Sequence, residues 1–239
     1  MNEPYASIHS IAPDIWRISV ALPPALFPGG FSFNQYLVVD ERPLLFHTGP
    51  RKLFPLVRAQ VETVLPIERL RYIAFSHYEA DECGALADFL ALAPQAQPVC
   101  GRVAAMVSVS DTVDVEPLAM EDGQVLDLGR HQLEWQATPH LPHGWESGFF
   151  FDRTTRTLFC GDLFTQPGTG DEPLTTGDIL TPSEAFRAQE DYFSHARDAG
   201  VHIEKLARLE PELLACMHGS AWRGDGAAML RKLGQALAA

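Results

Sequence analysis

One stretch of this chain is dense in side chains that bind metals. It begins at Ser76 and reads Ser-His-Tyr-Glu-Ala-Asp-Glu-Cys-Gly, which places one imidazole and three carboxylates within six positions, at His77, Glu79, Asp81 and Glu82. Imidazole combined with carboxylate oxygen suits iron, manganese or zinc. A second interpretation is a helix N-terminus, where Asp81 and Glu82 favour the helix dipole and cap the backbone. The rest of the chain has to decide between the two.

The elements around this stretch place it at the end of a strand. An apolar run over Leu70–Phe75 predicts a strand, and Ala85–Leu92 has the character of a helix. A loop at a strand end can turn alternate side chains toward a common point. Upstream, patterning predicts further strands over 15–20, 35–39 and 44–47 and a helix over 53–65.

The second half of the chain repeats the scheme. Short strands over 125–128, 132–138, 149–151 and 157–160 form a predicted antiparallel meander, and 213–217 is a last buried strand. Thr181, Pro182 and Glu184 predict a capped helix that runs to Asp198, and further helices are expected over 201–209 and 226–237. Two such halves, each a mixed sheet with helices outside, predict an α/β four-layer sandwich in one domain over 1–239.

Composition excludes several classes of function. With 18 basic and 31 acidic residues the formal charge is −13, which opposes nucleic acid and anionic membranes as partners. The four cysteines have no paired spacing, so buried free thiols in a reducing compartment are expected. Residues 1–10 carry no basic n-region or apolar h-region of a signal peptide, and no apolar run approaches the roughly 18 residues of a membrane span. These features predict a cytoplasmic protein.

Candidate ligand residues also follow three later predicted strands. His140 and His143 follow the strand at 132–138, Asp162 follows the strand at 157–160, and His218 follows the last strand. Any one of these could be an ordinary turn or surface residue. Their repeated position after apolar runs predicts that they meet the stretch at Ser76 along one edge of the sandwich.

These residues resemble the metallo-β-lactamase superfamily, which implies the αββα fold. Hydrolases of that superfamily have His-x-His-x-Asp-His, whereas this chain has His77-x-Glu79-x-Asp81-Glu82. The pattern His-x-Glu-x-Asp is similar to that of flavodiiron proteins and related oxygen-binding diiron proteins. The block from His143 to Ser147 also resembles their His-x-x-Asp-Ser segment.

The resemblance implies a ligand set for two metal ions, with iron expected and manganese or zinc as alternatives. His77, Glu79, His143 and a bridging Asp162 would hold one ion, and Asp81, Asp162 and His218 would hold the other. His140 remains the alternative to His143, because His140-Leu-Pro also resembles the His-x-Pro of the hydrolases.

Two departures from the superfamily pattern concern Glu82 and His47. Glu82 stands where the superfamily has histidine; it is our candidate catalytic residue, with an extra ligand or a helix cap as alternatives. His47 replaces the Asp of the expected Asp-Thr-Gly turn, and we interpret it as a packed or hydrogen-bonded histidine near the sheet edge.

Three functions follow from these patterns. The first is a diiron protein that binds or reduces O₂ or a related small oxidant, as a sensor with a signalling partner or as an oxidoreductase. The second is a metal-dependent hydrolase of an ester, thioester or lactone, and the third is a binding module. We expect no flavin in this chain, so reduction would need a separate electron donor. The loop over 165–180 could be a lid or a dimer contact, which leaves a homodimer open.

Overall fold

The computed structural model describes residues 2–238 and arranges them as two seven-stranded sheets. The first sheet contains β1 (Tyr5–Ala12), β2 (Ile15–Leu22), β3 (Phe31–Val38), β4 (Leu44–Phe46), β5 (Tyr72–Ala74), β6 (Gln97–Gly101) and β7 (Leu118–Met120). The second contains β8 (Val125–Asp127), β9 (Gln132–Ala137), β10 (Gly148–Asp152), β11 (Thr157–Gly161), β12 (Leu174–Thr175), β13 (Leu213–Cys216) and β14 (Ala221–Arg223). Each half of the chain therefore builds one sheet, as predicted.

The first sheet changes from antiparallel to parallel along its width. Its strands lie in chain order, with antiparallel pairs from β1 to β4 and parallel pairs from β4 to β7. Parallel neighbours require crossover connections. These are supplied by α1 (Phe54–Glu62), α2 (Ala80–Cys83), α3 (Leu86–Leu92), α4 (Arg102–Ala104), a π-helical turn (Ala105–Val109) and α5 (Ser110–Thr112).

The second sheet has the order β12-β14-β13-β11-β10-β9-β8. Its first part is the predicted antiparallel meander, β8 to β11. The chain then crosses over through α6 (Leu180–Glu190) and α7 (Ala199–Ala207), so β13 pairs with β11 in parallel. A closing helix, α8 (Gly226–Leu237), matches its predicted bounds, and Asp225 caps it by accepting a hydrogen bond from the backbone N–H of Ala228.

Three apolar clusters define the layers. One lies between the sheets and includes Phe46, Trp135 and Phe159. A second packs α1 and α3 on the outer face of the first sheet, and a third packs α6, α7 and α8 on the outer face of the second. The αββα sandwich is confirmed.

Two helix predictions were wrong in their bounds. The helix expected over 53–65 is a 3₁₀ turn, Arg51–Leu53, followed by α1, which ends at Glu62. The helix α6 starts before Thr181 because Asp178 Oδ1 accepts hydrogen bonds from the N–H groups of Leu180 and Thr181, at 2.9 and 3.1 Å. It ends well short of Asp198, at Glu190, because Asp191 adopts a left-handed backbone conformation.

The four cysteines are free and buried, as predicted. Within residues 2–238, no helix combines the length and the apolar character that a bilayer crossing requires.

Candidate metal centre

Loops that follow β5, β9, β11 and β13 carry the six predicted ligands to one edge of the sandwich. The first sheet supplies His77, Glu79 and Asp81 in the loop and short helix after β5. The second sheet supplies the other three, which are His143, Asp162 and His218. Ligand atoms from both sheets converge there, although the residues are far apart in sequence.

One group of four side chains surrounds a point between His77 and His143. The Nε2 atoms of these two rings are 2.9 Å apart, and Glu79 Oε2 lies 2.9 Å from His143 Nε2 and 3.2 Å from His77 Nε2. Asp162 Oδ2 lies 3.6 Å from His77 Nε2 and 3.5 Å from His143 Nε2. One donor atom from each residue lies within 4.8 Å of all the others. Four donors so close together match the first coordination sphere of a metal ion.

A second group contains Asp81, Glu82 and His218, whose donor atoms also lie within 4.8 Å of one another. His218 Nε2 is 3.5 Å from Asp81 Oδ2 and 3.2 Å from Asp162 Oδ1. Asp162 therefore directs Oδ1 toward the second group and Oδ2 toward the first, which is the arrangement of a bridging carboxylate.

The three histidines share one orientation. Nδ1 of His143 donates to the Tyr192 carbonyl at 2.9 Å, and Nδ1 of His218 donates to the Ser32 carbonyl at 2.7 Å. Nδ1 of His77 lies 3.0 Å from Ser76 Oγ. In each ring the outer nitrogen has a partner and Nε2 faces the cluster, as in metal-binding histidines.

His140 does not join the cluster. Its side chain is exposed, its backbone has a φ of 65°, and it lines a different cavity with Pro142 and Arg187. The turn around His140, in which its N–H donates to the Gly144 carbonyl, brings His143 inward and turns His140 outward.

The clustered carboxylates need positive charge beside them. A hydrogen bond from His143, and then one from His77, lower the pKa of Glu79 to about 2. Burial would lower the pKa of His143, but the hydrogen bond to Glu79 and the charges of Asp162 and Glu79 together outweigh it and raise that pKa to about 9. For Glu82, burial and then the charge of Asp162 raise the pKa well above its ordinary value. Protons thus balance the clustered charges, and metal ions would do so through the same atoms.

Unpaired buried oxygens support the same conclusion. Both carboxylate oxygens of Glu82 are buried without a hydrogen-bond partner. Buried carboxylates without partners are costly unless they are protonated or bind a cation. The donor set and its geometry therefore fit two metal ions.

Two residues behind His77 extend the site. His47 is buried, with Nε2 3.0 Å from Ser76 Oγ and Nδ1 2.9 Å from Met217 Sδ. Burial lowers the pKa of His47 to about 3, so its ring is neutral. The interpretation of His47 as a packed, hydrogen-bonded histidine is confirmed. Sequence reasoning missed Ser76, whose adjacency to His77 was the available signal.

An aromatic cavity opens onto the cluster. Its volume is about 330 Å³, and its wall combines donor side chains with aromatic ones. The aromatic members are Phe27, Phe31, Phe186 and Tyr192. A small molecule in this cavity would contact both groups of donors and an apolar wall.

Comparison with known protein families shows the family to which the chain belongs. The family model described as ODP family beta lactamase matches residues 31–219, a range that contains all six predicted ligands. This chain belongs to the ODP beta-lactamase family. The resemblance to the metallo-β-lactamase superfamily and to its diiron members is confirmed.

Curated relatives of this ODP family chain are flavoproteins by name. Diflavin flavoprotein A 1 of Synechocystis is 29% identical over 139 residues, which cover 56% of this chain and 24% of that protein. Anaerobic nitric oxide reductase flavorubredoxin of Pectobacterium atrosepticum is 26% identical over 211 residues, 84% of this chain and 41% of that protein. The chain thus spans less than half the length of either relative.

Solved structures confirm the fold of the ODP family chain. A metal-soaked flavodiiron core from Synechocystis superposes with a TM-score of 0.80 at 24% identity, over 98% of this chain and 61% of that one. The shared part is the lactamase-like sandwich.

Proposed function

We propose that the cluster holds two iron ions that bind or reduce O₂ or a related small oxidant. His77, Glu79, His143 and Asp162 would hold one ion, and Asp81, Asp162 and His218 would hold the other. The observation that carries the proposal is Asp162, whose two oxygens face the two groups of donors. Such a pair of ions would supply redox chemistry toward a small oxidant.

The donor types favour iron or manganese over zinc. Glu79 stands where the hydrolase motif has its second histidine, and Asp81 keeps the aspartate of that motif. The cluster therefore gains a hard oxygen donor at Glu79. This composition supports the oxidant-binding function and gives little support to hydrolysis of an ester, thioester or lactone.

The chain's own residues would orient the donors and shape access. Hydrogen bonds from Nδ1 of His143 and His218 to backbone carbonyls keep both Nε2 atoms directed at the cluster. Phe31 and Phe186 stack at 5.7 Å between ring centroids and give the cavity wall an apolar face. A small apolar oxidant would enter such a cavity readily.

Two roles are compatible with this site. A sensor would pass the binding event to a signalling partner, and an oxidoreductase would receive electrons from a separate donor. The names of the relatives, flavoprotein and nitric oxide reductase, support the redox alternative.

Metal analysis combined with spectroscopy tests the proposal. Protein purified without added metal should contain about two irons per chain, and an absorption band from oxygen-to-iron charge transfer should appear when an anaerobic sample meets air. Two zincs per chain and an unchanged spectrum would contradict it.

A matched pair of variants locates the first metal. His143→Ala should lower the metal content from about two ions to about one, because it removes an inward-facing donor. His140→Ala, in the same loop but exposed, should keep both ions. Equal losses in the two variants would contradict the assignment of His143.

A further inference from the structure

Glu82 is a buried carboxylate whose side chain has no hydrogen-bond partner. Its exposed fraction is 0%, and Oε1 and Oε2 both lack a donor. Among residues 2–238, no lysine or arginine pairs with it, and its nearest basic neighbour is His77, with Nε2 3.7 Å from Oε2. A carboxylate in such surroundings is stable only when it is protonated or neutralised by a bound cation.

The backbone of Glu82 already has its own anchor. Its carbonyl accepts a hydrogen bond of 2.7 Å from the N–H of Thr48. The side chain, by contrast, accepts no backbone N–H group, so it does not cap α2. Stabilisation of α2 therefore does not explain why a carboxylate side chain is present at position 82.

The position of Glu82 also argues against contact with substrate. The aromatic cavity is lined by Glu79, Asp81, Asp162, His143 and His218 among its polar residues, but Glu82 does not reach its wall. Instead, a Glu82 oxygen lies within 4.8 Å of donor atoms of Asp81 and His218. Its carboxylate therefore lies beside the donor atoms without lining the cavity.

We propose that Glu82 is a direct ligand of the second metal ion, which makes this ion's site richer in oxygen than the first. The inference rests on the proposed metal centre. Asp81, Glu82 and Asp162 would then supply carboxylates to the second ion, and His218 would supply the single imidazole. The first ion has two imidazoles, from His77 and His143. Hard oxygen donors favour Mn²⁺ and iron over Zn²⁺, so the two sites should differ in metal preference.

Metal titration of three variants tests the inference. Metal-free wild-type protein, Glu82→Gln, Glu82→His and Glu190→Gln are titrated with Mn²⁺ alone, with bound and free ion counted by electron paramagnetic resonance. Glu190 is the control, because it is an exposed glutamate on the cavity rim. Competition between Mn²⁺ and Zn²⁺ is then measured by elemental analysis.

We expect two Mn²⁺ per chain in the wild type and in Glu190→Gln. In Glu82→Gln the first ion should bind normally, and the second should bind at least about 100-fold more weakly, beyond the usual cost of losing an outer hydrogen-bond partner. Full binding of the first ion also shows that this variant is folded. Glu82→His should recover a second tight site that prefers Zn²⁺ more than the wild type does.

Two results separate failure of the inference from failure of the metal centre. If Glu82→Gln and Glu82→His both bind two Mn²⁺ with wild-type affinity and preference, Glu82 is not a ligand. If the wild type itself binds fewer than two ions of either metal, the dinuclear centre is wrong.

Discussion

At the scale of single residues, the site depends on side chains that hold the ligands in place. Ser76 Oγ lies between two imidazoles, 3.0 Å from His77 Nδ1 and 3.0 Å from His47 Nε2. His47 is held in turn by Met217, in the strand end that leads to His218. This chain of contacts links ligands of the two proposed metals through the protein, behind the cluster. Residues that fix the outer nitrogen of a metal-binding histidine set its orientation and basicity.

Removal of the Ser76 hydroxyl should weaken metal binding without unfolding the protein. Ser76→Ala leaves His77 Nδ1 and His47 Nε2 without this partner, so we expect affinity for the first metal to fall by about 10- to 100-fold. Isothermal titration of the metal-free protein measures the change. Ser10→Ala is the control, because the Ser10 hydroxyl is exposed and bonds only to the Ala12 carbonyl. Unchanged affinity in Ser76→Ala would show that Ser76 does not orient His77.

At the scale of elements, a buried polar link joins the two halves of the chain at the strand ends opposite the proposed metal centre. Asp40, after β3, accepts a 2.7 Å hydrogen bond from the N–H of His131, and His131 Nδ1 donates to Asp152 Oδ2 at 2.8 Å. Burial would raise the pKa of Asp152, but its hydrogen bond with His131 lowers it. Burial would likewise lower the pKa of His131, but the hydrogen bond with Asp152 raises it. The pair therefore favours its ionised form.

The ionised pair predicts a pH-dependent contribution to stability. Because the pKa of His131 is raised, its share is full below the ordinary value of 6.5 and is lost as pH rises through the folded value. Because the pKa of Asp152 is lowered, its share is present above the ordinary value of 3.8 and is lost as pH falls through the folded value. The window in which both shares are full lies between these two ordinary values.

Replacement of Asp152 should remove this pH dependence. In urea unfolding, Asp152→Asn should lower the free energy of unfolding by roughly 1–3 kcal/mol near pH 5.5. The loss should become smaller as the pH rises through the raised pKa of His131, above which the ring is neutral in both proteins. Asp127→Asn, at an exposed carboxylate, serves as the control. A loss that stays equal as the pH rises would mean that the pair is not ionised.

Element type was more predictable than element ends. The predicted cap of α6 was Thr181, but in the fold it is Asp178 that accepts hydrogen bonds from the free N–H groups. The end of α6 depends on the left-handed backbone conformation of Asp191. Aspartate tolerates this conformation, but its presence in the sequence does not predict it. By contrast, α8 was predicted with its observed bounds, because glycine follows an aspartate cap and an apolar periodicity continues to Leu237.

The candidate site was predictable in its residues but not in its contacts. Polar side chains after apolar runs indicated the loops that carry the donors, and the resemblance to diiron proteins supplied the set of six. The choice between His140 and His143 depended on a turn in which His140 has a positive φ. The burial of Glu82 depends on packing from both sheets, which no local pattern records.

At the scale of the whole molecule, the proposed metals would join two sheets that side chains already connect. From β3, Asn34 Nδ2 donates to the carbonyls of Cys216 and Gly219, at 2.9 and 2.8 Å, and Tyr36 Oη donates to the Cys216 carbonyl at 2.6 Å. These bonds hold the strand end that carries His218. Ligands from the first sheet and from the second would meet at the same ions, so metal binding should stabilise the assembled sandwich over the unfolded chain.

Removal of metal should therefore lower the melting temperature. At a free metal concentration about 100 times the dissociation constant, one site contributes about 2.7 kcal/mol, which corresponds to about 5–10 °C for a chain of this size. Thermal unfolding with chelator, and again after metal is restored, measures the effect. The double variant His77→Ala/His218→Ala lacks an imidazole in each proposed site, so its melting temperature should barely respond to the chelator. Ligands contributed by both sheets can meet at the same ions only in the folded protein. A wild-type melting temperature that does not respond to the chelator would therefore show that the ions do not join the two sheets.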